Sequence, residues 1–115
     1  MTVQHGGLTA ERWAGFDFGR QILMVANELH RAAKLLGAPD RARRRSSLER
    51  VYALVDLTIA TNARHSRRRE LLRWREMLGE CYLESAPSPA RDRELLRALL
   101  RLSPEAAAQI PTVAA

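Results

Sequence analysis

Apolar side chains recur at helical spacing in four stretches of the chain. The first stretch runs from Phe18 to Leu36 in alternating steps of four and three residues, the repeat of a helix that buries one face in a bundle. Gly37 and Pro39 follow it, and both are typical helix stop signals. We therefore predict a first long helix from about Asp17 to Leu36. Its expected buried face comprises Phe18, Ile22, Val25, Leu29, Ala32 and Leu36.

Two further stretches predict a second and a third helix. Asp40 is placed to cap the second helix and Ser66 to cap the third. The turn at residues 61–63 between them is short, which favours antiparallel neighbours. The expected apolar faces are Leu48, Val51, Tyr52, Val55 and Ile59 in the second helix, and Leu71, Trp74, Leu78 and Cys81 in the third.

The fourth helix has a well-formed start, because Ser88 can cap it and Pro89 suits its first position. Ser103 and Pro104 then begin another short turn. The expected fold is all-α, an antiparallel up-down four-helix bundle with a short fourth helix. We assign residues 1–16 to a flexible N-terminal segment, 17–110 to the bundle and 111–115 to a disordered tail. Trp13 is then free to cover a bundle end or to meet a partner.

Length and composition fit this assignment. At 115 residues the chain has room for one domain, and its low aromatic content of 5% with abundant Leu and Ala favours helices. The single cysteine, Cys81, excludes a disulfide framework and a Cys-based zinc site. There is no secretory signal pattern at the N-terminus and no apolar run of membrane-spanning length. We therefore expect a cytoplasmic protein that does not associate with membranes.

The charge balance narrows the choice of partners. The net charge is +6, and of the 19 Lys and Arg residues only Lys34 is a lysine. Arginine binds phosphate through two parallel hydrogen bonds and stacks on bases, so this bias suits nucleic acid. GC-rich coding sequence would also favour arginine, whatever the protein does. The clustering of the arginines is the stronger signal.

Two basic runs stand out, and their surroundings are expected to differ. Arginines that open the third helix lie at the positive end of its own macrodipole, so local stability does not explain them. In an up-down bundle Arg20 joins this end, with Asp17 as the main nearby acid. The run at 41–45 is expected to meet acids at the end of the third helix, namely Glu76, Glu80 and Glu84. The predicted nucleic-acid-binding residues are Arg20, Arg64, His65, Arg67, Arg68 and Arg69, with Arg41, Arg43, Arg44 and Arg45 as a second contribution.

Signatures of catalysis are missing from the sequence. It contains no glycine-rich phosphate loop, no HExxH and no GxSxG, so we expect neither an enzyme nor a bound cofactor. The three histidines are far apart in sequence. Carboxylates such as Glu70 and Glu76 lie three residues from Arg73 and are expected to form ordinary helix-surface ion pairs.

The segment Ile59–Ser85, which reads IATNARHSRRRELLRWREMLGECYLES, resembles a family of four-helix-bundle proteins. The family includes the accessory variability proteins of diversity-generating retroelements and the proteins encoded in ribosomal RNA intervening sequences. An alanine-containing turn, a basic stretch with serine and an Arg-aromatic element, here Arg73 and Trp74, carry the resemblance. It implies a pentameric homo-oligomer that binds a reverse transcriptase and its structured template RNA. The short fourth helix departs from the family pattern.

These observations support one leading function and two alternatives. The leading hypothesis is a non-catalytic accessory subunit that binds nucleic acid, with RNA favoured, and a partner enzyme. The first alternative is a helical protein-interaction subunit of a larger complex that docks an acidic protein. The second is a plain oligomeric scaffold.

Overall fold

A computed structural model of the chain describes residues 9–109, and every long element within them is an α-helix. The prediction of an all-α chain is confirmed. Residues 1–8 and the predicted tail at 111–115 lie outside the described part. The helices are α1 (Ala10–Ala14), α2 (Phe18–Ala33), α3 (Arg41–Thr61), α4 (Arg67–Tyr82), α5 (Pro89–Leu100) and α6 (Pro104–Gln109), with a 3-10 turn at Ala38–Asp40.

The four longer helices enclose one apolar core. Helix α2 packs against α3 and α5, and α4 packs against the same two helices. The predicted apolar faces of all four helices contribute to this core, because their periodicity places the apolar side chains on one side of each helix. The buried residues include Ile22, Val25, Leu29 and Ala32 of α2, Leu48, Val51 and Val55 of α3, Leu71, Trp74, Leu78 and Cys81 of α4, and Leu95, Leu96, Leu99 and Leu100 of α5.

The starts of α2 and α5 follow from their capping residues. The Asp17 carboxylate accepts the backbone N–H of Arg20 at 2.8 Å. The Ser88 hydroxyl accepts the backbone N–H of Arg91 at 3.2 Å, and Pro89 takes the first helical position. Each cap satisfies a backbone donor that would otherwise lack an intrahelical partner.

The starts of α3 and α4 differ from the prediction. Asp40 and Ser66 stand at the N-cap positions, but neither side chain forms a capping hydrogen bond. Asp40 instead pairs with Arg43 at 3.2 Å. At α4 the ring of His65 provides the cap in place of Ser66, because its Nδ1 accepts the backbone N–H of Arg67 at 3.1 Å.

Helix α2 ends earlier than its apolar pattern predicts. Its last residue is Ala33, and Leu36 lies in the connection to α3, where it is 42% exposed. The prediction that Leu36 closes the buried face is therefore wrong. The chain has already left the helix when the sixth apolar position arrives, so the side chain no longer points to the core.

The N-terminal boundary of the fold also needs correction. Trp13 lies in α1 and is 0% exposed, and its indole N–H donates to Oγ1 of Thr58 in α3 at 3.0 Å. The amide of Gln21 in α2 donates to the Trp13 carbonyl at 2.9 Å. The expectation of a flexible segment is thus wrong for residues 9–16, which belong to the folded unit, and Trp13 is packed inside this unit rather than left for a partner.

Helix α6 completes the structure at the other end of the sequence. It packs chiefly against α2. The buried Ser103 caps it, because its hydroxyl accepts the backbone N–H of Ala106 at 3.2 Å. The predicted short turn is therefore a six-residue helix that belongs to the packed structure.

Replacing Trp13 tests whether α1 is part of the fold. We expect Trp13→Ala to lower the free energy of unfolding by about 3–5 kcal/mol, because it leaves a large cavity. Thr58→Val should cost about 1–3 kcal/mol, since it leaves the indole N–H buried without an acceptor. Urea unfolding followed by circular dichroism measures both. An unchanged midpoint for Trp13→Ala would mean that α1 is not anchored as described.

Candidate nucleic-acid interface

The start of α2, the turn at residues 62–66 and the start of α4 lie together at one end of the molecule. The guanidinium of Arg67 lies 4.0 Å from the centre of the Phe18 ring. Arg20 and Arg67 line the same open depression of about 690 Å³. The structure therefore brings Arg20 near the beginning of α4.

Arg67 is anchored more firmly than the other arginines of this end. It is partly buried, it stacks on Phe18, and its guanidinium donates to the side-chain oxygen of Asn62 at 3.4 Å. A cation held over an aromatic face loses side-chain freedom before any ligand arrives. Arg67 thus combines a structural role with a fixed positive charge.

Three neighbouring arginines are exposed at this end of the molecule. Arg64, Arg68 and Arg69 are exposed, and within residues 9–109 their side chains form no ion pair or hydrogen bond. Arg68 and Arg69 lie in the first turn of α4, where the macrodipole disfavours positive charge. We name Arg64, Arg68 and Arg69 the basic turn. Its charges are neutralised by no side chain in the described part of the chain.

His65 presents a hydrogen-bond donor beside the basic turn. Its Nδ1 accepts the backbone N–H of Arg67, so the neutral ring carries its hydrogen on Nε2. That hydrogen is available to an outside acceptor, because the residue is exposed. A phosphate oxygen is one acceptor that it would suit.

Two acids line the depression beside Arg20 and Arg67, namely Asp17 and Glu105. The Asp17 carboxylate caps α2, and Glu105 accepts the hydroxyl of Ser103 at 3.0 Å. Glu105 was missed from sequence, because nothing there indicated that α6 would pack on α2. The depression has mixed charge, so the basic turn is the better surface for an anion.

The second basic run is not one surface, because its arginines lie in different environments. Arg44 is only 6% exposed, and its guanidinium forms a two-point contact with the carboxylate of Asp92. Arg43 pairs with Asp40, and Arg45 lies over the ring of Tyr82 at 5.4 Å. Only Arg41 is exposed with no side-chain partner within residues 9–109.

The prediction that Arg44 contributes to nucleic-acid binding is therefore wrong, since its charge is used inside the protein. The expected acidic partners of this run are wrong as well. Glu80 and Glu84 lie 3.5 and 2.6 Å from Arg91 of α5. Glu76 has no ion pair within the described residues.

The contact between Arg44 and Asp92 joins all four long helices. Nη1 and Nη2 of Arg44 each lie 2.9 Å from one carboxylate oxygen. Nη1 also donates to the Ala32 carbonyl at the end of α2, at 3.0 Å. The thiol of Cys81 in α4 lies 3.4 Å from Asp92 Oδ1. The cluster therefore fixes the relative positions of α2, α3, α4 and α5.

The cluster shifts the titration of two of its members. The hydrogen bond to Asp92 raises the pKa of the Arg44 guanidinium, so this side chain is charged at neutral pH. Burial, aided by the negative charge of Asp92, raises the pKa of the Cys81 thiol to about 11. Cys81 is thus protonated near neutral pH and serves as a packing residue and weak hydrogen-bond donor.

Within residues 9–109 no group of three or more His, Cys, Asp or Glu side chains is arranged to hold a metal ion. None of the helices in that range combines the length and the apolar character needed to cross a bilayer. The basic turn is therefore the main candidate site that these residues offer.

Comparison of the chain with protein-family models, with curated proteins and with solved structures finds no match. The resemblance of the segment Ile59–Ser85 to the retroelement accessory proteins thus stays a prediction. The surface has to be interpreted from its own charges and contacts.

Breaking the Arg44–Asp92 contact tests its structural role. Arg44→Met should lower the free energy of unfolding by about 3–5 kcal/mol, because it leaves a buried carboxylate without its cation. The double variant Arg44→Met/Asp92→Leu should recover most of that loss, because an apolar pair leaves no buried charge. Urea denaturation measures both.

Arg75→Met, which removes a half-exposed partner of Asp56, is the matched control and should cost at most about 1 kcal/mol. Equal losses for Arg44→Met and Arg75→Met would contradict this role.

The reactivity of Cys81 tests its burial. Since the thiol pKa rises from 9.0 to about 11, the thiolate fraction at pH 8 should fall about a hundredfold relative to the unfolded chain. Reaction with Ellman's reagent should be slower by at least that factor in native protein than in urea. The raised pKa contributes stability below pH 9 that is lost as the pH rises towards 11. Equal rates in native and unfolded protein would show an accessible thiol.

Proposed function

We propose that this chain is a non-catalytic basic subunit that binds nucleic acid, with structured RNA favoured, through the basic turn. One observation supports this most directly. Arg64, Arg68 and Arg69 are exposed at the positive end of α4 with no partner in residues 9–109. Charges placed against the macrodipole and without intramolecular partners are stabilised when a polyanion binds.

The proposed binding mode is neutralisation of phosphates. Arg67, held on Phe18, supplies a fixed cation, the basic turn adds flexible ones, and Nε2–H of His65 adds a neutral donor. Aromatic platforms for base stacking are scarce, because Trp13 and Trp74 are both buried. We therefore expect binding that depends on backbone shape and charge, with little base readout.

We further infer that α2 to α5 form an antiparallel up-down bundle. Support comes from both ends of the structure. At one end, Ala32 and Cys81 from the ends of α2 and α4 meet Arg44 and Asp92 from the starts of α3 and α5. At the other end, the starts of α2 and α4 meet at Phe18 and Arg67.

The resemblance extends this proposal to particular partners. Under it, the chain assembles as a pentamer and binds a reverse transcriptase of a diversity-generating retroelement together with its template RNA. A reverse transcriptase gene and paired repeats beside the gene for this chain would support that extension. A neighbourhood without them would leave only the general proposal of nucleic-acid binding.

The alternative is docking of an acidic protein at the same end. The mixed depression favours it, because Phe18, Leu23 and Leu102 line it next to Arg20 and Arg67. Such a surface would accept an acidic peptide with apolar side chains. Purification separates the two possibilities. Nucleic acid carried over and released by high salt favours the first, and a single acidic polypeptide that co-purifies favours the second.

Removing exposed charge from the proposed end should weaken RNA binding selectively. We expect Arg64→Gln/Arg68→Gln/Arg69→Gln to reduce affinity for an RNA hairpin at least about tenfold at 0.1 M salt, because three phosphate contacts are lost. The slope of log affinity against log salt should become shallower by about 2–3. Fluorescence anisotropy measures both. Arg67 is left intact, because its contact with Phe18 supports the fold.

The matched control removes the same charge from the other end of the molecule. Arg41→Gln/Arg43→Gln/Arg45→Gln lies about 30 Å away, at the opposite end of the 21-residue α3, and should keep most of the affinity. Equal losses for the two variants would show attraction by net charge alone. An affinity that barely changes with salt would contradict the proposal outright.

A further inference from the structure

An exposed stripe runs along the outer face of α4. Its members are spaced by alternating steps of three and one, so that they occupy one side of the helix. All six are exposed. We name this set the α4 stripe, and it consists of Arg69, Leu72, Arg73, Glu76, Met77 and Glu80.

The charged side chains of the stripe form few ion pairs with other residues of the described range, 9–109. The pairs predicted for Arg73 with Glu70 and Glu76 do not form, and Arg69, Arg73 and Glu76 have no side-chain partner within residues 9–109. Glu80 lies 3.5 Å from Arg91, but that arginine is held more closely by Glu84 at 2.6 Å. The Glu80 side chain stays 71% exposed.

The charges of the stripe run against the dipole of their own helix. The arginines occupy its N-terminal half and the glutamates its C-terminal half, whereas a macrodipole favours the reverse order at both ends. A second helix packed antiparallel against α4 would offset the unfavourable charge–dipole interaction in both halves of the stripe. Its negative end would meet the arginines and its positive end the glutamates.

The stripe carries opposite charges at equal distances from its midpoint, which falls between Trp74 and Arg75. Arg69 and Glu80 are equally far from that point, and so are Arg73 and Glu76. A second copy laid antiparallel therefore sets Arg69 against its Glu80 and Arg73 against its Glu76. A two-fold axis makes each of these contacts twice.

We propose that two copies of this chain associate antiparallel through the α4 stripe, about a two-fold axis through its midpoint. Leu72 and Met77, which are 37% and 36% exposed, supply the apolar part of the contact. Parallel packing would set like charges level with each other, so the charge order selects the antiparallel pair. A polyanion would be attracted by only half of the stripe.

The contact should be modest in strength. A single helix of 16 residues buries less than the about 1,200–2,000 Å² typical of stable complexes. Measurement therefore needs high protein concentration and low salt. The proposal does not depend on nucleic-acid binding, and it concerns a different face of α4 except for Arg69.

Charge reversal gives a sharp test. An acidic variant, Arg69→Glu/Arg73→Glu, carries four negative charges on the stripe, and a basic variant, Glu76→Arg/Glu80→Arg, carries four positive ones. Each alone should raise the dimer dissociation constant at least about tenfold, and an equimolar mixture should pair again. The quadruple variant with all four changes restores complementary order and should dimerise by itself. Sedimentation equilibrium distinguishes the chain mass of 13.0 kDa from twice that value.

Several outcomes would overturn the proposal. These are a wild-type protein that stays at 13.0 kDa up to about millimolar concentration, a mass of five chains, and charge variants that alone keep the wild-type mass. A mixture that fails to pair would also do so. Circular dichroism checks that each variant is folded. The RNA affinity of the wild-type protein is measured independently of its mass, so a failure of this proposal is distinguished from a failure of the proposed function.

Discussion

The contact between Arg44 and Asp92 holds the arrangement of the four long helices. A guanidinium removed from water is favourable only if nearly all of its donors find acceptors, and here they find a carboxylate on α5 and a carbonyl on α2. Both contacts depend on how α2 and α5 are placed relative to α3, because the three hydrogen bonds are 2.9–3.0 Å long. An apolar core of leucines would tolerate sliding, whereas this charged pair does not. A packing that separated the two groups would leave a buried charge without its partner, which is strongly destabilising.

Apolar periodicity predicted most of the core. The same periodicity also gives an indication of the contact between Arg44 and Asp92. Arg44 lies four residues before Leu48, in phase with the apolar face of α3, and Asp92 lies three before Leu95 in α5. A charged residue in phase with a buried face is a candidate for a paired interior position. One such residue alone is ambiguous, but two of opposite sign in different helices indicate a pair. What the sequence does not show is which helix ends meet.

Other differences arise where the chain leaves regular structure. The apolar spacing of α2 continues to Leu36, but the helix ends at Ala33. The spacing of apolar residues does not show where the backbone hydrogen bonds of a helix stop. Trp13 lies in a helix of five residues, which is too short to show a repeat. Its indole N–H pairs with Thr58, which is 45 residues away in sequence, and the apolar pattern does not link the two. His65 capped α4 where Ser66 was expected, because Ser66 itself has helical backbone angles.

The arginines show why composition alone does not locate a binding surface. Arg44 is buried in a charge pair, Arg67 is stacked on a ring, and Arg68 has no side-chain partner among residues 9–109. A sequence counts these three charges equally, yet only the last is fully available to another molecule. Desolvation and pairing have already used the electrostatic energy of the first. The informative quantity is the charge left unpaired after folding. Within residues 9–109, several such charges follow one another along α4, with Arg68 and Arg69 in its first turn and Glu76 in its second half. The inverted order of these charges destabilises the isolated helix at its two ends. A polyanion relieves this only at the start of α4, whereas a partner that supplies opposite charge to each half relieves it at both ends.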